Sequence, residues 1–254
     1  MRTVDLNCDL GESFGHFQVG HDEEILKYIT SANIACGYHA GDHNVMMKTV
    51  NLAKDLNIQI GAHPGLPDLG GFGRREMNIS PDEVYNLVVY QIGAMQAVAK
   101  VNQVELGHVK PHGALYNMAE KNKELAKAIA KAVKDVDQNL VLFGLSGGFL
   151  CEAGSEEGLK TAHEVFADRT YQPDGKLTPR SKENALIHDP EEAVHQVLQM
   201  VKEQRVTAVN GEIIPIQADT ICVHGDGPNA LTFVQHLCKT LKNEGIIIQS
   251  VRMK

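Results

Sequence analysis

The sequence of 254 residues contains no tryptophan, and aromatic residues make up only 5% of it. Proteins that stack sugars or single-stranded nucleic acids do so on aromatic side chains, so this composition disfavours a stacking platform. The sequence also lacks an apolar run long enough to span a bilayer and a signal peptide at its start. We therefore expect a cytoplasmic protein without a membrane partner.

Several well-known phosphate-binding and nucleophile motifs are also missing. No Gly-x-x-x-x-Gly-Lys-Ser/Thr sequence is present, so any nucleotide is held by something other than a P-loop. No Gly-x-Gly-x-x-Gly sequence follows a predicted strand, and no Gly-x-Ser-x-Gly elbow occurs. The net charge of -8 argues against nucleic acid as a partner, which leaves a small-molecule substrate as the expected one.

The five cysteines form no Cys-x-x-Cys pair, and their number is odd. Four of them lie in or next to apolar runs, which is typical of reduced thiols in the core of a cytoplasmic protein. The cysteines are Cys8, Cys36, Cys151, Cys222 and Cys238.

Apolar periodicity alternates between strands and helices along the whole chain. Residues 4–10 alternate strictly, so their apolar side chains would meet outer helices while Asp5, Asn7 and Asp9 point inward. Seven or eight such strand–helix units favour an α/β fold with a closed parallel barrel of the TIM type. The length is compatible with one barrel domain spanning residues 1–254.

Local signals place several of the elements. Capping boxes at residues 80–83 and 189–192 predict helix starts, each with proline at the first helical position. Residues 108–112 are expected to form a strand, and a helix opening at Gly113 is expected to carry a core face as far as Val136. An Asn-Gly turn inside residues 207–214 predicts a hairpin.

Glycines and polar residues concentrate in the loops that follow the strands, which is the end of a β/α barrel that carries active sites. At one such corner, Asp42 is placed to cap a helix that begins at His43. His39 and His43, with Asp9 from the first strand, could hold a metal ion. A hydrogen-bonded histidine pair at the start of a helix is the alternative.

Lys110 and His112 are predicted to share one inward-facing side of a strand. A lysine inside a barrel must be paired or lie near water, and a charged one could hold an anionic substrate or a developing oxyanion. A purely structural pair with Asp9 or Glu164 is the alternative. His63 and His224 each end a strand just before proline or glycine, which suggests that they reach the same site.

Arginines in the long loops are further candidates. Arg74, Arg75 and Arg180 could clamp a carboxylate or a phosphate, although solvated arginines are common in loops. Asp168 and Arg169 could form part of the rim of the site, and a plain surface ion pair fits them equally well.

Taken together, a set of motifs resembles the LamB/YcsF family, which includes the A component of the bacterial ATP-dependent 5-oxoprolinase. The resemblance runs nearly end to end and in order. The motifs are Asp5-Leu-Asn-Cys-Asp-Leu-Gly-Glu12, Asn33-Ile-Ala-Cys-Gly-Tyr-His-Ala-Gly-Asp42, Gly61-Ala-His-Pro-Gly65, Gly71-Phe-Gly-Arg-Arg75, Val109-Lys-Pro-His-Gly-Ala-Leu-Tyr116, Phe166-Ala-Asp-Arg169 and Val223-His-Gly-Asp226.

The resemblance implies a seven-stranded β/α barrel related to polysaccharide deacetylases. It also implies cleavage of 5-oxo-L-proline to L-glutamate with hydrolysis of ATP, in a complex with two further subunits, B and C. The catalytic residues expected on this basis are Asp9, His39, His63, Lys110 and His112. The expected substrate-binding residues are Asn7, Glu12, Arg74, Asp168, Arg169, His224 and Asp226.

Two other functions stay open from the sequence. A deacetylase or amide hydrolase could act without ATP through a magnesium or zinc ion held by Asp9, His39 and His43. A carbohydrate- or small-molecule-binding module without catalysis is the third possibility, and the low aromatic content argues against it.

Overall fold

A computed structural model describes residues 2–223 and 230–251. His224 and Asp226, both expected to bind substrate, lie outside the described residues. The strands are β1 (Thr3–Leu10), β2 (Ser31–Ala35), β3 (Gln59–His63), β4 (Leu106–Val109), β5 (Val141–Leu145), β6 (Lys160–Phe166), β7 (Arg205–Thr207), β8 (Ile213–Pro215), β9 (Thr220–Val223) and β10 (Ile247–Ile248). The α-helices are α1 (Asp22–Ile25), α2 (His43–Asp55), α3 (Pro81–Val101), α4 (Gly113–Ala119), α5 (Lys123–Val136), α6 (Phe149–Glu156), α7 (Pro190–Leu198) and α8 (Ala230–Asn243).

Seven parallel strands form a closed barrel in the order β1-β2-β3-β4-β5-β6-β9, and β1 pairs with β9 to close it. The short strand β10 also pairs with β1, through Thr3 and Val4. Helices cover the outside of this sheet, so the predicted seven-stranded β/α barrel is confirmed. Strands β7 and β8 form a separate antiparallel hairpin that contains the predicted Asn-Gly turn.

The two faces of β1 have the roles that their alternation predicts. Val4, Leu6 and Cys8 are fully buried in the apolar core. Asp5 points into the barrel instead, where it accepts hydrogen bonds from the hydroxyls of Thr30 and Ser31 at 2.6 and 2.7 Å. The interior of the barrel is therefore polar, and each buried polar group there needs a partner.

Side-chain caps begin the helices at the predicted positions. One oxygen of Asp42 accepts from the backbone N–H groups of Asn44 and Val45 at 2.8 and 2.9 Å. Ser80 and Glu83 form the complete capping box of α3, with Pro81 at the first position. At α7, a simple cap takes the place of the predicted capping box: the side chain of Asp189 accepts a hydrogen bond from the N–H of Glu191 at 2.9 Å.

Two predicted elements differ from those observed. Strand β4 ends at Val109 rather than at His112, because Pro111 has no N–H to donate. The segment stays extended, and Lys110 still donates its N–H to the carbonyl of Ala62 at 3.0 Å.

The helix expected from Gly113 onward is two helices, α4 and α5. Asn122 separates them, because its side chain accepts from the N–H of Glu124 at 3.0 Å and so starts a new helix.

Across the described parts of the chain, no helix combines the length and the apolar character needed to cross a membrane.

Candidate functional site

A cavity of about 890 Å³ opens at the carboxyl ends of the barrel strands. This is the end at which β/α barrels carry their active sites, and the volume is in the range of small-molecule pockets. Strand ends supply Asp9 and His63, and the loops after the strands supply most of the remaining wall. Its basic side chains are Arg74, Lys110, Lys121, Arg169, Lys176, Arg180 and Lys182, and its acidic ones are Asp9, Glu12, Asp22, Glu76, Glu120 and Asp174.

The ammonium group of Lys110 lies buried in the wall of this cavity. Its Nζ is 2.9 Å from Asp9 Oδ1 and 2.9 Å from Glu164 Oε1. It also donates to Asn7 Oδ1 at 3.3 Å, so Asn7 supports the lysine from below the cavity and does not line it. Burial works to lower the pKa of Lys110, but the two carboxylates raise it well above its usual value. Lys110 is therefore a fixed positive charge.

Asp9 links this lysine to the histidines. Its Oδ1 accepts from the side-chain amide of Asn33 at 2.8 Å as well as from Lys110, and its Oδ2 lies 3.3 Å from His63 Nε2. Burial would raise the pKa of Asp9, but His63 and Lys110 hold it well below the usual range. The carboxylate thus stays anionic, and its side chain is 19% exposed.

His63 and His112 meet through nitrogens that face each other. Nδ1 of His63 lies 2.7 Å from the carbonyl of Lys110, and Nε2 of His112 lies 2.8 Å from the carbonyl of Phe72. Because a carbonyl only accepts, each of these nitrogens carries the proton. The other nitrogens, His63 Nε2 and His112 Nδ1, are 3.0 Å apart. Burial, followed by His63, lowers the pKa of His112 to about 3, so this ring is neutral.

His39 stacks on His112, with ring centroids 3.7 Å apart and ring planes 5° from parallel. The ring is fully buried, and neither of its nitrogens makes a hydrogen bond. Burial, His112 and His63 hold its pKa well below the usual value, so it is neutral. Two glycines make room for the ring, because a β-carbon at Gly65 or Gly73 would lie 2.4 or 2.5 Å from its atoms.

Glu12 completes the cluster. Its Oε1 lies 3.5 Å from His39 Nε2 and 3.7 Å from His112 Nδ1. Among the described residues, Glu12, His39, His63 and His112 make up the group whose ligand atoms could hold a metal ion, all within 4.8 Å of one another.

His43 is not part of this group. Its side chain is exposed at the start of α2, whereas His39 precedes that helix, so the two do not share one helical face. Asp9 also lies outside the group, so the group differs from the set of Asp9, His39 and His43 expected from the sequence.

The predicted arginines divide between the cavity and the surface. Arg74 lines the cavity with its guanidinium 5.0 Å from the centroid of the Phe72 ring. Arg75 turns away to pair with Asp68, and Asp168 does not line the cavity.

Arg169 lines the cavity and holds the loop after β6 together. It donates to the carbonyls of Thr178 and Ala185 at 2.6 and 3.3 Å. Burial lowers its pKa to about 10, with Arg180 beside it, so the guanidinium stays charged. Arg180 lines the same cavity.

Three acidic or phenolic side chains were not predicted as site residues. Glu164 is fully buried against Lys110, and only its inward position on β6 pointed to it. The buried Tyr116 lines the cavity, and burial with nearby Glu164 raises its pKa well above the usual value. Burial also raises the pKa of Glu120 to about 7, although Glu120 accepts from the N–H of Phe149 at 2.7 Å. No sequence signal distinguishes Glu120 from a surface glutamate.

Comparison with known proteins relates the chain to a described family. The LamB/YcsF family model matches residues 4–254. A protein from Oceanobacillus iheyensis, named as the A subunit of 5-oxoprolinase, is 61% identical over 250 residues, which cover 98% of this chain and 97% of that protein. A protein of the same name from Bacillus subtilis is 58% identical over 251 residues, which cover 99% of this chain and 98% of that protein.

Solved structures share the barrel. A lactam utilization protein from Thermus thermophilus matches with a TM-score of 0.92 at 46% identity, covering 97% of this chain and 99% of that one. A family 4 carbohydrate esterase from Streptomyces lividans matches with a TM-score of 0.52 at 13% identity, covering 98% of this chain and 93% of that one. The second likeness concerns the fold alone.

Proposed function

Because the chain belongs to the LamB/YcsF family, we propose that it is the A component of a 5-oxoprolinase, which opens the lactam ring of 5-oxo-L-proline to give L-glutamate. The observation that carries this proposal is the end-to-end identity of about 60% with relatives that bear this name. The cavity has room for a small-molecule substrate, lies at the active end of the barrel and offers several cations to a carboxylate.

Lys110 is the group we assign to the developing negative charge. Water adds to the lactam carbon, negative charge collects on the oxygen atoms attached to that carbon, and the carbon–nitrogen bond then breaks as the nitrogen takes up a proton. A fixed ammonium in a largely buried position stabilises such a charge more than water does. Asp9 and Glu164 position this ammonium, because each lies 2.9 Å from it.

Asp9 is the group we assign to the attacking water. It stays anionic and borders the cavity, so it can orient water and accept its proton. However, a carboxylate with a lowered pKa is a weak base, and a weak base contributes little against an unreactive amide. The substrate must then be made more electrophilic by other means.

Coupling to ATP provides this activation in the proposed reaction. Phosphorylation of the lactam oxygen by ATP, with release of ADP, makes the ring carbon more electrophilic, so that the weak base of this site suffices. Water adds to that carbon, the ring nitrogen leaves, and the acyl phosphate that results is hydrolysed to L-glutamate and phosphate. Arg74 and Arg180 line the cavity and are placed to meet the phosphate or the substrate carboxylate. His63, hydrogen-bonded to the backbone of Lys110, keeps Asp9 in place.

The name of the relatives implies an assembly of several subunits. We propose that the partners are the B and C subunits of 5-oxoprolinase and that they take part in the use of ATP. We also propose that the complex works in the cytoplasm, which agrees with five buried cysteines that are all free thiols.

The test is glutamate release from 5-oxoproline by this chain with subunits B and C, with and without ATP. We expect release only with all three chains and ATP. The Lys110→Met variant should lose at least a hundredfold in kcat, since removal of one stabilising group for an oxyanion costs about that much. The matched control Lys131→Met, an exposed lysine paired with Asp135 outside the cavity, should stay within twofold of the wild type. Full activity of Lys110→Met, or release without ATP, would contradict the proposal.

One observation favours a second function, a metal-dependent amide hydrolase or deacetylase that works without ATP. Glu12 and three histidines cluster beside the cavity in a fold shared with a carbohydrate esterase. This function predicts amide cleavage by the isolated chain, no response to ATP and complete loss of activity in a chelator. The same assay, run with the isolated chain and a chelator arm, separates the two functions.

A further inference from the structure

Two histidine nitrogens in the site face each other in an arrangement that needs a positive charge between them. His63 and His112 each use one ring nitrogen to donate to a backbone carbonyl. Their other nitrogens, 3.0 Å apart, both present lone pairs when the rings are neutral. Two acceptors at this distance repel each other unless a proton or a metal ion lies between them.

The surroundings of this pair contain further ligand atoms. Glu12 Oε1 approaches His112 Nδ1 to 3.7 Å and His39 Nε2 to 3.5 Å. His39 is a fully buried imidazole with no hydrogen bond at either nitrogen, which is unusual for a buried polar side chain. A group that is buried at such cost without a partner points to a ligand at this position.

We propose that Glu12, His39, His63 and His112 form a binding site for one divalent transition-metal ion, with zinc as the best fit. Four ligands around a tetrahedral zinc ion lie roughly 3.3–3.5 Å apart, from metal–ligand distances of about 2.0–2.1 Å. Three of the separations between the ligand atoms, 3.0, 3.5 and 3.7 Å, bracket this value, and all four ligand atoms lie within 4.8 Å of one another.

The chemistry of the ligands selects the class of metal. Magnesium and calcium prefer oxygen ligands, whereas imidazole nitrogens suit zinc, iron, nickel and copper. Three imidazoles and one carboxylate therefore argue against magnesium.

The hydrogen bonds made by the proposed ligands also resemble those found around metal sites in other proteins. Metal-ligating histidines usually donate their second nitrogen to a carbonyl or carboxylate, which fixes the tautomer and the ring orientation. His63 and His112 both do so. His39 is held instead by its stack on His112 and by the close backbone of Gly65 and Gly73.

Asp9 lies between the site and the ammonium group of Lys110. Its two oxygens contact the lysine and His63. Four protein ligands fill a tetrahedral shell, so a bound zinc ion would act as a Lewis acid on a carbonyl or a water in the cavity only by accepting a fifth ligand. The three histidines and Glu12 would hold it, while Asp9 and Lys110 stay available to the substrate.

The experiment measures metal binding by the isolated chain, so neither substrate nor partner subunits are needed. After dialysis against a chelator, the chain is titrated with Zn²⁺ in a calorimeter, and a second sample is loaded with Co²⁺. We expect one Zn²⁺ per chain with micromolar or tighter affinity, and visible absorption bands typical of four-coordinate cobalt. Absence of Zn²⁺ uptake at 100-fold excess would overturn the proposal and would mean that the two histidines share a proton instead.

Variants locate the ion. His39→Ala and the nearly isosteric Glu12→Gln should each weaken Zn²⁺ binding at least tenfold and change the cobalt spectrum. The matched control His43→Ala removes an exposed histidine four residues from His39, and binding should not change. Circular dichroism confirms that each variant is folded, and Glu12→Gln decides the matter if His39→Ala does not fold. Zinc bound equally well by both site variants, or lost in His43→Ala, would refute this ligand set. The outcome is independent of the proposed reaction, which is tested by glutamate release.

Discussion

Replacement of Lys110 by methionine should destabilise the protein more than replacement of any surface lysine. The substitution keeps the length of the side chain but removes the ammonium that lies 2.9 Å from both Asp9 and Glu164. Glu164 is fully buried, so its charge is left without a cation in a position that water does not reach. Breaking a buried ion pair by removing one partner costs about 3–5 kcal/mol, against a total stability of about 5–15 kcal/mol for a folded domain.

The loss of stability in Lys110→Met should be larger at neutral pH than at acidic pH. In the wild type, His63 and Lys110 hold the pKa of Asp9 below its ordinary value of 3.8, so its ionised form adds stability above that pH. Without Lys110, burial raises the pKa of Asp9 relative to the wild type. The destabilisation is then fully present at neutral pH and shrinks as the pH falls and the carboxyl group takes up a proton. We expect the difference to be largest at neutral pH and to become smaller toward acidic pH.

The assay is urea denaturation followed by far-ultraviolet circular dichroism, because the chain has no tryptophan for fluorescence. Lys131→Met is the matched control, since Lys131 is 57% exposed and pairs with Asp135 on the surface. Exposed pairs contribute about 0–1 kcal/mol, so the control should change stability by no more than that. The double variant Lys110→Met with Glu164→Gln should regain part of the loss, because one buried charge is removed with the cation.

Equal stability of the two single variants would refute the reasoning, as would a loss that grows toward low pH. Either result would mean that Asp9 and Glu164 find other partners, or water, when the lysine is absent.

Three further predictions concern stability. Gly61→Ala should lower the free energy of unfolding, measured by chemical denaturation, by about 1–3 kcal/mol or more. The β-carbon of the new alanine would lie 2.1–2.4 Å from the buried ring of His108. Its control Gly93→Ala, on an open face of α3, should instead stabilise by about 0.5–1 kcal/mol; similar effects of the two would contradict the packing. Burial raises the pKa of Glu120 to about 7 from 4.5, so this group adds stability below pH 4.5 that is lost as the pH rises through 7. In Glu120→Gln, the fall in the free energy of unfolding between pH 4.5 and pH 7 should therefore be smaller by about 3 kcal/mol than in the wild type. An unchanged fall would mean that Glu120 does not cause it. Ser80→Ala should lower stability by about 1 kcal/mol through the lost cap of α3, measured by the same denaturation; no change would mean that the capping box adds nothing.

Much of the barrel could be predicted because the spacing of apolar residues and the capping of helices depend only on residues that are near one another in the sequence. The alternation of residues 4–10 predicted which side chains of β1 point inward, and Asp5 and Asn7 are indeed buried there. Ser80 and Asp42 predicted helix starts because their caps need only the next few residues. The pairing of Lys110 with a carboxylate was also expected from its inward position, and the structure supplies two partners, Asp9 and Glu164.

The detailed arrangement of the site could not be read from spacing. His39 and His43 are four residues apart, but the helix begins only at His43, so helical geometry does not apply to the pair. The stack of His39 on His112 joins residues more than 70 positions apart, and it depends on the close approach of Gly65 and Gly73. Contacts of this kind depend on tertiary packing, which local periodicity does not encode.

The closure of the barrel has a consequence for how the protein is made. Strand β1 hydrogen-bonds to β9 and β10, so residues 3–8 find their partners more than 200 positions later in the chain. Such distant contacts are slow to form, because a large loop must close first. During synthesis, the edges of β1 and β6 stay open until Thr220–Val223 emerges from the ribosome. A nascent chain stalled before that point would expose two unpaired strand edges, and these are sites where chains aggregate or where chaperones bind.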